Sequence, residues 1–142
     1  MSLKIVVLAK QVPDTRNVGK DAMKADGTIN RAALPAIFNP KTWMLSSKLF
    51  DWKMLIQLYR NHPDHGTGTA ADIYSWRTFR GADNGYLLTD RAFAGADTLA
   101  TSYALATAIR KIGDCDIIIG GRQAIDGDTA QVGPQVAEKL GL

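Results

Sequence analysis

The chain has 142 residues, 46% of them hydrophobic and 22% charged, with a net charge of +3. That is one domain's worth of ordinary globular composition, long enough to bury a sizeable core. No stretch reaches the roughly 18 apolar residues of a membrane span, Ser2–Lys10 is too short for a signal segment, and the basic residues are scattered, not striped with aromatics. A soluble cytoplasmic protein that binds no nucleic acid is therefore expected.

Lys4–Lys10 (KIVVLAK) is a continuous, β-branched run with charged ends. It predicts a parallel strand buried on both faces. Gln11-Val12-Pro13-Asp14 breaks it, because Pro cannot donate to a ladder. Asp26-Gly27 is a two-residue turn signal and predicts a small hairpin between Ala22–Lys24 and Thr28–Asn30. Pro35 ends that excursion. Asn39-Pro40 pairs a good N-cap with a residue preset for the first helical position, so a helix begins there.

The segment 41–80 is anomalous. It holds all three tryptophans (Trp43, Trp52, Trp76) and both histidines. Leu45, Leu49, Trp52, Ile56 and Tyr59 recur at helical spacing and predict a helix through about Tyr59. Residues 61–69 read as loop. His62 and His65 have no Cys or His partner at a metal spacing and read as surface residues. An α/β alternation wants a buried strand in this segment, and the pattern shows none.

After Gly81 the alternation returns. Tyr86–Leu88 reads as a short strand and Thr89–Gly95 as a polar loop. Asp97 or Thr98 caps a helix over Leu99, Tyr103, Ala106, Ile109 and Ile112, ended by Gly113. Cys115, the one cysteine, has no disulfide or metal partner and reads as a packing residue. Asp116–Ile119 is the next strand. Thr129–Leu140 is the last helix, with Pro134 near its first turn and Gly141 behind it.

Between that strand and helix lies Gly120–Pro134 (GGRQAIDGDTAQVGP). At the carboxyl edge of a parallel sheet such a loop suits a nucleotide. Glycines let the backbone approach a phosphate, and a helix start offers free N–H groups. Gly and Asp in a loop also serve simply to turn the chain and cap a helix. Neither G-x-G-x-x-G nor G-x-x-x-x-G-K-[ST] is present.

Lys4–Asp14, Asp26–Pro40, Gly81–Asp83 with Tyr86–Asp90 and Gly95–Ser102, and above all Gly120–Leu140 resemble the beta subunit of electron transfer flavoprotein. The resemblance covers about seven tenths of the chain. It implies an α/β fold: a three-layer, doubly wound, mostly parallel sheet of the adenine-nucleotide-binding kind, here incomplete. Members of that family run well past residue 142. Their second half supplies a loop that docks on acyl-CoA dehydrogenases and an arm that holds the alpha subunit. The 1–142 chain thus reads as an N-terminal half.

The resemblance implies an electron carrier without catalytic residues of its own. With an alpha subunit as heterodimer partner it would form a flavoprotein, the main FAD held mostly by that subunit. It would pass electrons between acyl-CoA dehydrogenases or other flavoenzymes, as in fatty acid oxidation, and a redox partner. This chain would bind AMP or, in the electron-bifurcating branch, a second FAD; the small, neutral run Gly127–Pro134 favours the latter. The implied site comprises Leu8, Ala9 and Lys10, then Asn39, Pro40, Lys41 and Thr42, then Gly121, Arg122, Gln123, Ala124, Ile125, Asp126, Gly127, Asp128, Thr129, Ala130, Gln131 and Val132.

The residue chemistry agrees with that site. Gly121 and Gly127 allow close backbone approach. Amides near Asp128 and Thr129, and the Thr129 hydroxyl, donate to phosphate. Asn39 serves an adenine edge or ribose while capping. Lys10 or Arg122 neutralises phosphate, and Asp126 and Asp128 suit ribose hydroxyls or caps. Two other classes share the fold. A stand-alone adenine-nucleotide-binding module would show a G-x-x-G…G-[ST] loop, and an ATP pyrophosphatase-type enzyme a Ser-Gly-Gly-x-Asp-Ser loop after the first strand. Neither loop is present.

The segment 41–80 departs from the family. Lys41 and Thr42 replace its residues at the site's edge. Lys41–Lys53, back-translated and read one nucleotide earlier, yields Glu-Asp-Leu-Asp-Ala-Leu-Glu-Gln-Ala-Phe-Arg-Leu-Glu, an amphipathic helix of the family kind. A frameshift restored before Gly81 is the expectation, and with the inner strand lost the chain is expected to be weakly stable and to aggregate.

Overall fold

Ile5-Val6-Val7-Leu8-Ala9 forms strand β1 (Ile5–Ala9), and all five residues are buried. β-branched side chains suit a strand packed on both faces. The computed structural model describes residues 3–16, 18–27, 30, 33–42, the backbone of 54–60, and 82–142. β4 (Met54–Arg60) pairs with β1 in parallel on one side, and β6 (Ile117–Gly120) on the other. β5 (Asn84–Asp90) pairs in parallel with β4, so the order is β5-β4-β1-β6. In this register Val7 lies between Leu55 and Ile119, and Leu8 between Ile56 and Gly120.

Alternate residues of β1 feed two cores. Ile5, Val7 and Ala9 pack with Ala82, joined by Phe38, Leu87 and Ile119. Val6 and Leu8 pack on the other face with Leu105, Ile109 and Val136. Those last three come from helices α1 (Thr98–Ile112) and α2 (Val132–Leu140), which together cover that face. Cys115 is half-buried against the same cluster, and burial pushes its thiol pKa up.

Both helices end as their residues dictate. The Asp97 carboxylate accepts the Ala100 N–H at 2.8 Å at the start of α1, and Gly113 closes it at φ 95°. Gly141, at φ 76°, closes α2: its N–H donates to Glu138 O at 3.1 Å and the Leu142 N–H to Ala137 O at 3.0 Å. That is the doubled carbonyl capping of a left-handed C-terminal glycine. α2 starts at Val132 and not at Thr129, because Ala130 holds φ 56°, outside the right-handed helical region.

The buried face of α1 is also rotated from the expected one. Thr101, Ser102, Leu105, Ala106 and Ile109 are buried, whereas Leu99 and Tyr103 are 56% and 64% exposed. The small Ser102 lets α2 come close; its hydroxyl donates to Thr98 O at 2.6 Å and lies 2.8 Å from Gln135 Oε1. Tyr103 instead lies beneath the Lys139 ammonium, 5.8 Å from its ring centroid.

The segment 41–80 differs most from expectation. Met54–Arg60 is a strand, in the inner slot between β1 and β5, and not the end of a helix. The run MLIQLYR fits strand and helix patterns alike. The pairing edges of β1 and β5 decide between them. The sheet therefore has its inner strand, which removes the ground for expecting weak stability. Trp43, Leu45, Leu49, Trp52, His62, His65 and Trp76 lie outside the described residues.

Three smaller corrections concern edges and turns. Gln11-Val12-Pro13 does not merely break β1. It forms β2 (Gln11–Pro13), antiparallel to β3 (Ala36–Phe38), with Val12 opposite Ile37. A two-stranded ribbon tolerates a strand-end Pro. Asp26-Gly27 does make a turn, with Gly27 at φ 80° and the Asn30 N–H donating to Ala22 O at 2.8 Å. Lys20–Ala22 is a 3-10 turn, and Thr28 and Ile29 lie outside the described residues. β5 runs the full seven residues that β4 offers for pairing, and Arg91–Phe93 is a 3-10 turn capped by Asp90.

Just past β2, the Asp14 carboxylate accepts the Arg16 backbone N–H at 3.0 Å and its guanidinium at 2.9 and 2.7 Å. These side-chain and backbone hydrogen bonds hold its pKa down at about 2 against an ordinary 3.8. A depressed carboxyl pKa contributes stability that is present above pH 3.8 and lost as pH falls toward 2. NMR titration of Asp14 is expected to show that low midpoint, and Arg16→Ala to return it toward 3.8. In the core, Ile109 is 3% exposed. Ile109→Ala is expected to lower unfolding stability by about 2–5 kcal/mol in a denaturant melt.

Candidate functional site

The direction of winding reverses at β1: β4 and β5 lie to one side and β6 to the other. Connections leaving the carboxyl ends of β1 and β6 diverge there, and a crevice opens between them. A cavity of about 570 Å³ occupies this place. The end of β1 and the β2–β3 ribbon form one wall, the 120–133 loop a second, and the start of α1 a third.

Leu8, Ala9, Lys10, Asn39, Thr42 and the loop residues Gly121–Ala124 and Asp126–Val132 all line the cavity; Pro40, Lys41 and Ile125 do not. Sequence reasoning missed Gln11, Val12, Pro13, Leu34 and Ala36, which the ribbon brings in, and Ala96, Asp97, Thr98, Thr101 and Leu105 beside the α1 start. The α1 group had a signal, since the connection after β5 also leaves a strand's carboxyl end. The ribbon had none, because its two strands pair across more than twenty residues.

Gly121 is dictated by contact. A Cβ there would overlap Thr42 Oγ1 and lie 2.8 Å from Thr42 N and 3.0 Å from its Cα. The β6 exit and the helical turn at 40–42 therefore touch backbone to backbone. Gly127 differs: among the described residues nothing stands within 4 Å of its Cβ position, and it borders the cavity.

Asn39 is 3% exposed, and among the described residues its Oδ1 accepts no N–H of the 40–42 turn, so its side chain does not cap it as expected. Its Nδ2 donates to Gln123 O at 2.9 Å, and its own N–H donates to Lys10 O at 2.9 Å. It thus ties β1, the 40–42 turn and the loop together. Among the described residues, Asn39 Oδ1 and Gln11 Nε2 are buried without a hydrogen-bond partner. Orphaned polar atoms of this kind beside a cavity fit an occupant with polar groups of its own.

The charges also differ from expectation. Lys10 Nζ is 2.6 Å from Asp126 Oδ1; the Asp126 side chain is fully buried and that of Lys10 is 43% exposed. The Lys10 ammonium is thus neutralised by protein, and Asp126 faces Lys10, not a ribose. Arg122 is exposed on the cavity wall. Gln123 Nε2 donates to Asp128 Oδ1, and the Asp128 N–H to Ala124 O at 2.9 Å.

Asp128 and Ala130 hold φ of 54° and 56°. For residues other than glycine that region costs about 1–3 kcal/mol each and marks a segment held by its surroundings. Among the described residues no side chain caps the start of α2; the Gln131 amide oxygen instead accepts the Thr98 hydroxyl at 2.9 Å. A helix start left open beside a cavity is suited to an anion. Among the described residues no group of three metal-binding side chains occurs, and no helix is long and apolar enough to cross a membrane.

Residues 77–142 match the family model of the electron transfer flavoprotein domain. Over 99% of its length the chain is 46% identical to the electron transfer flavoprotein subunit beta of Megasphaera elsdenii, covering 54% of it. It is 46% identical to the subunit of the same name from Clostridium acetobutylicum, covering 99% of this chain and 53% of that one. It is 43% identical to the acryloyl-CoA reductase electron transfer subunit gamma of Anaerotignum propionicum, covering 99% and 52%. The chain spans about half the length of the curated relatives it matches.

The two loop glycines separate cleanly in a stability test. Gly121→Ala is expected to destabilise by about 1–3 kcal/mol through overpacking against Thr42. Gly127→Ala is expected to stay within about 0.5 kcal/mol of the parent, as at an uncrowded surface site. Thermal melts of both variants check this.

Proposed function

Because the chain belongs to the electron transfer flavoprotein family, we propose that it is the nucleotide-holding half of an electron-carrier subunit. Its fold is read as part of a three-layer doubly wound domain. Its partner is an alpha subunit that holds the main FAD, and the assembled flavoprotein carries electrons between acyl-CoA dehydrogenase-type flavoenzymes and a redox partner. The chain's own ligand is AMP or a second FAD, with the second FAD favoured by the small-residue Gly127–Pro134 run.

The cavity at the β1/β6 reversal carries this reading. Its residues fit an adenine nucleotide. The uncapped start of α2 and the loop before it offer main-chain N–H groups to a phosphate. Asn39 and Gln11 offer a buried acceptor and donor to polar groups of the ligand. Leu8, Val12, Leu34 and Leu105 supply apolar lining for a flat ring. When bound, a flavin supplies one- and two-electron transfer. The chain binds and orients it and contributes no acid, base or nucleophile.

Co-purification with an alpha subunit tests the reading. The complex is expected to show flavin absorbance bands and, on denaturation, to release either one FAD with one AMP or two FAD per heterodimer. AMP bound to this chain without any partner or flavin would favour the stand-alone module. A complex that releases neither flavin nor adenylate would overturn the reading.

A further inference from the structure

We propose that Lys10 and Asp126 form a positioning pair that holds the 126–130 turn in its ligand-ready shape, and that Lys10 is not the cation that meets the ligand's phosphate. The ligand half of this rests on the nucleotide reading above. The positioning half stands on the structure of the loop itself.

Lys10 follows β1 and Asp126 lies in the loop after β6, 116 residues later, yet the two meet at 2.6 Å. A carboxylate with no solvent exposure requires a countercharge, and Lys10 supplies it. The pair works beside a second chain of bonds. Lys10 O accepts the Asn39 N–H, Asn39 Nδ2 donates to Gln123 O, and Gln123 Nε2 donates to Asp128 Oδ1. Both routes run from the end of β1 to the same turn, where Asp128 and Ala130 adopt a left-handed backbone that alanine disfavours. The Asp128 N–H to Ala124 O bond closes that turn from within, and these two routes tie it to the end of β1. With the ammonium neutralised, the phosphate falls to main-chain N–H groups at the start of α2 and to Arg122 on the cavity wall.

The two roles for Lys10 make opposite forecasts for Asp126→Asn. A phosphate ligand freed from its carboxylate would bind AMP as tightly as before, or more tightly. A positioning pair loses its hold, and affinity for AMP and for adenosine falls together, by about tenfold in calorimetric titration. Lys10→Met is expected to weaken both ligands by the same factor. The double variant Lys10→Met/Asp126→Asn is expected to match the single variants and not multiply them, as residues acting through one contact do. Lys10→Arg, which keeps the charge, is expected to stay near the parent.

A second readout needs no ligand. In Asp126→Asn, amide hydrogen exchange is expected to speed up at 127–131 while α1 remains protected, which also shows that the variant folds. Unchanged exchange at 127–131, AMP binding by Asp126→Asn at parental strength, or loss of AMP but not adenosine binding in Lys10→Met would each overturn the proposal. If the parent binds none of AMP, adenosine and FAD, the nucleotide reading and the ligand half fall together. The positioning half is then decided by exchange alone.

Discussion

The structure depends on one strand having no free side. β1 is buried on both faces and hydrogen-bonded along both edges, to β4 and to β6. Its five apolar residues divide between two cores, so neither face can be given up without exposing the other element's packing surface. Every other element takes its place from this strand. β4 and β5 stack outward on one side, β6 pairs on the other, and α1 and α2 close the face made by Val6 and Leu8.

The site is a consequence of that arrangement. A sheet that winds in both directions from one strand leaves a crevice where the directions part. Here the crevice is narrowed by a backbone contact that only glycine permits, Gly121 against Thr42. The 40–42 turn and the loop after β6 are drawn together there, with Asn39 bonded to both β1 and Gln123. Two of the charged residues on the cavity wall, Lys10 and Asp126, pair with one another. An anion entering it meets peptide N–H groups and the open end of α2.

Much of this is visible in linear order. β1 and β6 are short apolar runs, α1 and α2 carry Asp97, Gly113 and Gly141 at their ends, and the loop between β6 and α2 declares itself by Gly, Asp and Thr. The loop's residues, with Leu8–Lys10 and Asn39, do gather around one cavity. Less legible are features that depend on a partner distant in sequence. Met54–Arg60 satisfies helical and strand patterns, and pairing on both edges decides for the strand. The β2–β3 ribbon reads from sequence as a break followed by an excursion. Leu99 and Tyr103 share a helical stripe, but the small Ser102 turns the α1 interface away from them.

By itself the sequence determined which segments are apolar enough to be buried, where helices stop, and which loop has the glycine and hydroxyl content to meet a ligand. Periodicity and capping are local, and a window of a dozen residues contains them. Only the tertiary structure decided what those residues touch. Lys10 has the type of a phosphate ligand and becomes the counterion of Asp126; Asn39 has the type of a cap and becomes a tie between strand and loop; Gly121 and Gly127 look alike, and Thr42 crowds only the first. Burial, countercharge and backbone contact are relations between residues brought together by strand order, and strand order is set by pairing across the whole chain.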